Sequence, residues 1–130
     1  MIYQQESSVT YVIFLRLAPT ATANLQRPGV MDAVAEAARA GAAPSLDVLT
    51  RLGQPAVFAN LLVQRLTYLL SLRAAGILRA AGPFADLQGG MYICNVPNER
   101  DARDIMEEDP FVRAGLIESS YTIHQWCAAI

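Results

Sequence analysis

The chain has 130 residues, 53% of them apolar and 17% charged, with a net charge of −2 and a mean hydropathy of +0.25. That length gives one domain with a single core, and that composition excludes a disordered tail protein. All ten basic residues are arginine, scattered without a basic stripe, which leaves nucleic acid a poor partner.

So apolar a chain points to a homo-oligomeric interface. Cys94 and Cys127 are isolated, with no histidine or cysteine at ligand spacing around either, so neither a metal nor a cofactor is expected. Two such cysteines fit a reduced compartment. The segment "MIYQQESSVTYVIFLRL" lacks a basic n-region and carries Glu6, so it does not read as a signal peptide. The longest apolar run, "AVFANLLVQRLTYLLSL", is broken by Asn60, Gln64 and Arg65 and is too short and polar for a membrane span. A soluble, cytoplasmic protein is the expectation.

In chain order, "VTYVIFLRLA" (9–18) is rich in β-branched and aromatic residues and ends before Pro19, which predicts a strand. Its apolar residues fall on both alternating sets, so both faces need cover. Residues 20–55 are rich in Ala, Pro and Gly. Two helices are predicted there: 30–41, ended by Gly41, and 44–53, between Ser45 and Gly53. The main helix follows over roughly 56–75 and ends at Gly76. A second strand over 77–84 turns at Gly82-Pro83, and a third covers 89–97. Asn98 caps a helix whose first turn carries Glu99 and Asp101. Pro110 breaks that helix, 111–115 form a short helical turn, and "SYTIHQWCAAI" is the closing strand.

This order is βαββαβ with a helical insertion after the first strand: an α+β, ferredoxin-like single domain over 1–130, with 20–55 inserted. Helices cover one face of a four-stranded antiparallel sheet. The other face is apolar too, and a second copy of the sheet is the economical cover. Helices as short as those of 20–55 cannot hold a core of their own, so the insertion is expected to pack beside the sheet.

Three stretches carry a family likeness: "RAAGILRAAGPF", "GGMYICNVPNERDARDIMEEDPFVRAGLIES" and the terminal "YTIHQW". They resemble the YCII-related family of dimeric α/β-barrel proteins, with its Gly-Pro turn, glycine-led third strand and D-P-[FY]-x-x-A-G segment. The likeness covers 9–18 and about 56–126; residues 20–55 lie outside it. It implies a sheet-to-sheet homodimer and a site built from a helix histidine and the aspartate of the D-P segment. One relative acts as a dehydrochlorinase on chloroaromatics, and muconolactone isomerases are distant cousins. The aspartate carries over to Asp109. The histidine position, counted back from Gly82-Pro83, holds Arg65, so the family dyad is altered.

The residues alone lead to the same pair. Phe58, Leu61, Leu62, Leu69 and Leu72 form one stripe of the main helix, with Arg65 at its centre. Ala102, Ile105 and Met106 form another stripe, in which Asp109 takes the i+7 place. An unpaired buried charge costs several kcal/mol, and these two charges are opposite, so Arg65 and Asp109 are expected to be partners. Two readings stand side by side: a salt bridge that fixes helix packing, or a pocket where both groups face an acidic or aromatic ligand. Arginine cannot act as general base, which leaves Asp109 as the candidate for that role; arginine can bind a carboxylate or enolate. Tyr68, Arg16, Gly82, Pro83 and His124 complete the set of candidate ligand contacts, each with an ordinary structural reading beside it. The functional expectation is a lyase or isomerase of aromatic or lactone catabolism; the alternative is a non-catalytic binding or accessory protein of the same fold.

Overall fold

The computed structural model describes residues 8–130; of the N-terminal segment assessed above as a leader, residues 1–7 lie outside them. Four antiparallel strands, β1 (Val9–Arg16), β2 (Leu78–Pro83), β3 (Gly89–Val96) and β4 (Thr122–Gln125), form one sheet in the order β2-β3-β1-β4. Six helices accompany them: α1 (Pro19–Leu25), α2 (Val30–Arg39), α3 (Leu46–Arg51), α4 (Ala56–Ala74), α5 (Glu99–Glu107) and α6 (Pro110–Arg113). The α+β class and the βαββαβ frame are those read from the sequence.

Register decides which side chains meet the helices. Tyr11 pairs with Cys94 and Ile13 with Tyr92, and these four are buried in one core with Phe58, Leu62 and Leu69 of α4. Ala102, Ile105 and Met106 of α5 and Phe111 of α6 close the same core. The alternate residues face the other side. There Val12 pairs with Ile93 and His124, and Phe14 with Met91.

Three features differ from the sequence reading. A further helix, α1, opens the insertion: Pro19 sits in its first turn, where a missing N–H goes unused, but its Ala- and Thr-rich sequence shows little stripe. The strand does not turn at Gly82-Pro83; β2 runs through both, and the turn falls beyond, where Phe84 N–H donates to Gly89 O at 2.8 Å. Pro83 is tolerated because β2 is an edge strand. β4 is shorter than expected, four residues paired only with β1, although Trp126 N–H still reaches Thr10 O.

The insertion is tied down at several points. Thr22 Oγ1 donates to Leu87 O at 2.7 Å, and Gln54 Nε2 to Asn24 O at 2.7 Å. Ala21, Leu25, Val30 and Leu49 are buried in the common core. Glycine is required where β3 begins. A Cβ on Gly89 would lie 2.4 Å from Leu15 O, and one on Gly90 would lie 2.6 Å from Gly82 O. The close approach of β1, β2 and β3 at this end of the sheet therefore rests on two residues without side chains. No helix among the described residues is long and apolar enough to cross a membrane.

Candidate functional site

Arg65 is carried on the apolar stripe of α4, a helix whose exposed residues include Gln64, Thr67 and Ser71. Its side chain is only 12% exposed, so the guanidinium needs partners. Arg65 Nη2 donates to the Tyr92 hydroxyl at 2.5 Å, and Arg65 Nε lies 3.5 Å from Asp109 Oδ2. The Tyr92 hydroxyl in turn donates to the same Oδ2 at 2.5 Å. Aromatic faces complete the setting, with the guanidinium carbon 4.7 Å from the Phe111 ring centroid and 5.6 Å from that of Tyr92. Burial works against the arginine's charge, but Tyr92 and Asp109 outweigh it and hold its proton more firmly than usual. Burial pushes the Tyr92 phenol up as well, so it stays a neutral donor at physiological pH.

Asp109 does not occupy the last slot of α5, as the i+7 spacing suggested. The helix ends at Glu107, and Asp109 is the N-cap of α6, with its Oδ1 accepting from Phe111 N–H at 2.8 Å. Pro110 stops one helix and starts the next, which turns the capping carboxylate inward. It is fully buried, with one oxygen committed to the cap and the other to Tyr92 and Arg65. Asp109 thus holds α6 and Arg65 together.

On its other side Arg65 lines a cleft of about 310 Å³ between α4, the β2–β3 hairpin and the inserted helices. Gly82, Pro83, Gly89 and Gly90 form one wall; Leu25, Met31, Val34 and Ala38, all from the insertion, form another. Of the sequence candidates, Arg65, Gly82 and Pro83 line this cleft, and Asp109 lies behind it. The other three lie elsewhere. The Tyr68 hydroxyl donates to Ile105 O at 2.7 Å on the helix flank. Arg16 is exposed at the end of β1, outside the cleft lining. His124 is exposed on the opposite sheet face, its ring 5.7 Å from Phe14, beside a second apolar groove with Val12, Met91, Ile93 and Trp126. That separation follows from the pairing of Val12 with His124: the histidine shares the face of Val12, while Ile13 and Tyr92 share the other.

Sequence reasoning missed Tyr92, Arg73, Arg79 and the cleft wall supplied by the insertion. Tyr92 had a signal: it alternates with Cys94 on a strand apolar on both faces, and a buried tyrosine needs a partner for its hydroxyl. No group of three or more His, Cys, Asp or Glu at metal-binding distance occurs among the described residues. Cys94 is core, its thiol pushed up to about 11 by burial.

The bond pattern gives a mutational expectation. Arg65→Met leaves the Asp109 carboxylate buried without its cation and should destabilise the fold by roughly 3–5 kcal/mol. Adding Asp109→Asn should recover most of that loss, because asparagine removes the charge and remains a good cap for Phe111 N–H. Thermal melts of the two variants measure the recovery; equal losses in both would show that the charges are not coupled.

Residues 50–127, more than half of the chain, match the family model described as the YCII-related domain. The protein YjpA of Bacillus subtilis (strain 168), itself uncharacterised, is 36% identical over 59 residues, 45% of this chain and 67% of that protein. Among solved structures, the 5-chloro-2-hydroxyhydroquinone dehydrochlorinase TftG from Burkholderia phenoliruptrix AC1100, in complex with 2,5-dihydroxybenzoquinone, matches with a TM-score of 0.53. That match covers 92% of this chain and 95% of the other at 17% identity, a likeness of fold. The matched segment carries α4, the β2–β3 hairpin, Asp109 and β4, and on it the chain belongs to the YCII-related domain family.

Proposed function

We propose that the chain is a small-molecule enzyme of the lyase or isomerase type, acting on an acidic cyclic compound held at Arg65, and that it works as a homodimer. The observation that carries this reading is a permanently charged residue, Arg65, in the lining of an otherwise largely apolar cleft. In this reading arginine replaces the family's histidine and cannot accept a proton. Asp109, wholly buried with both oxygens engaged, acts as a positioning residue for Arg65 rather than as a base. A cation beside an acidic ring hydroxyl favours its ionised form, so the substrate gives its proton to solvent instead of to a side chain. The pair on the ionised oxygen moves into the ring, where a carbon takes a proton from solvent. Ionisation of a second hydroxyl then forms a carbonyl and expels the leaving group, or loss of a different carbon-bound proton to solvent leaves the double bond shifted. Arg65 stabilises the charge that develops on oxygen.

A second reading, a non-catalytic binding or accessory protein, is favoured by the composition of the cleft: its lining contains no carboxylate, histidine or cysteine. The quinone carried by the solved neighbour is a suitable probe, being both acidic and cyclic. Calorimetry should show it binding to the wild type, with affinity lowered by at least about tenfold, or 1.4 kcal/mol, in Arg65→Met. Binding together with halide release from a chlorinated hydroxyhydroquinone, or with isomerisation of an unsaturated lactone, supports the enzyme. Binding with no turnover of either compound selects the accessory reading. Equal affinity in both variants removes Arg65 from the site.

The homodimer rests on the sheet face away from the helices, where Phe14 and Trp126 are 44% and 48% exposed beside Val12, Met91 and Ile93. Such a contiguous apolar patch is unusual on a monomer, and a second copy would bury it. Light scattering at micromolar concentration should give twice the chain mass, and a Phe14→Glu, Trp126→Glu variant should give the chain mass. A monomeric wild type contradicts the assembly.

A further inference from the structure

The cleft holds two more charged residues, and both are again arginine: Arg73 and Arg79. Arg73 lies in the last turn of α4, eight residues beyond Arg65, which is about 12 Å further along the helix axis. Arg79 lies between Leu78, paired with Cys94, and Ala80, paired with Ile93, so it is the extra residue of a β-bulge. Bulges re-aim side chains, and this one falls on the cleft lining. Among the described residues the salt bridges are Arg51–Asp47, Arg65–Asp109 and Arg103–Glu99; neither Arg73 nor Arg79 makes one. Both are exposed, and two unpaired cations on one cleft lining, at the end of α4 and the start of β2, repel each other and gain by sharing an anion. Most of the remaining lining is apolar, with Leu66, Leu69 and Leu70 from α4 and Met31, Val34 and Ala38 from α2.

We propose that the ligand is a dianion, with one acidic group on Arg65, a second shared by Arg73 and Arg79, and an apolar body lying between α4 and α2. The proposal rests on the reading of Arg65 as an anion partner and adds the second charge and its spacing. It also gives the insertion a role, since α2 lies outside the segment matched by the family model and supplies the wall that the apolar body meets.

The test compares matched probes on the whole protein: para-phenylenediacetate against phenylacetate, and suberate against octanoate. Each is titrated calorimetrically into the wild type, Arg65→Met, and the Arg73→Gln, Arg79→Gln double variant. All three proteins are first checked for cooperative melting. The wild type should prefer at least one dianion over its monoanion by roughly tenfold. The double variant should lose that preference while still binding the monoanion, and Arg65→Met should weaken both members of a pair. A wild type without preference, or a preference that survives the double substitution, overturns the dianion and leaves the Arg65 site standing. A wild type that binds none of the four probes or the quinone overturns both readings.

Discussion

A guanidinium taken out of water must be matched by opposite charge and filled hydrogen bonds, and that requirement at Arg65 organises the helical side of the molecule. Three elements meet its demand: β3 sends Tyr92, the α5–α6 junction sends Asp109, and α6 sends the Phe111 ring. Each partner has a second duty. Tyr92 is part of the sheet core, Asp109 caps α6, and Phe111 packs on Phe58 with ring centroids 5.6 Å apart. Moving any of them would disturb both the charge and the core, so α4 is locked against β3 and α6 at one height. The same lock fixes where Arg65 meets the cleft.

Burial of this kind is weak evidence for stability, since a well-packed apolar substitute is often as stable as a buried ion pair. Its meaning lies in placement. Arg65 is enclosed on the side of Tyr92 and Asp109 and lines an apolar cavity on the other. Arg65 is mostly buried and held in a fixed orientation by Tyr92 and Asp109. The insertion contributes as well. With Met31, Val34 and Ala38, α2 adds an apolar wall to the cleft.

Much of the frame was legible in the sequence because it obeys simple periods. The β-branched run of β1, the capped helix after Asn98 and the glycine-led β3 each gave their element from local pattern. The opposite charges of Arg65 and Asp109 were visible because each interrupts an apolar stripe, although the geometry differed: Asp109 is a cap beyond α5 and not part of its face. What the sequence hid has physical reasons. α1 carries Ala and Thr where a helix usually shows large apolar residues, so its period is faint. Tyr92 stood among apolar residues on both sides of a strand, and only register tells which face it takes. His124 and Arg16 attracted attention by residue type, yet strand pairing puts His124 on the far face and leaves Arg16 outside the cleft lining. The cleft itself draws on six separated segments, and no local period records their meeting.

The side-chain Nε–H signal of Arg65 in the nitrogen-15 NMR spectrum reports most directly on the central claim, that one guanidinium is held from behind and open to an anion in front. The account expects a resolved, slowly exchanging signal, because Nε is held against Asp109 and shielded from water. It expects that signal to shift on titration with 2,5-dihydroxybenzoquinone while His124 and Arg16 resonances stay in place. A signal lost to solvent exchange would contradict the buried anchor. A signal that stays unmoved while residues of the opposite sheet face respond would contradict the site.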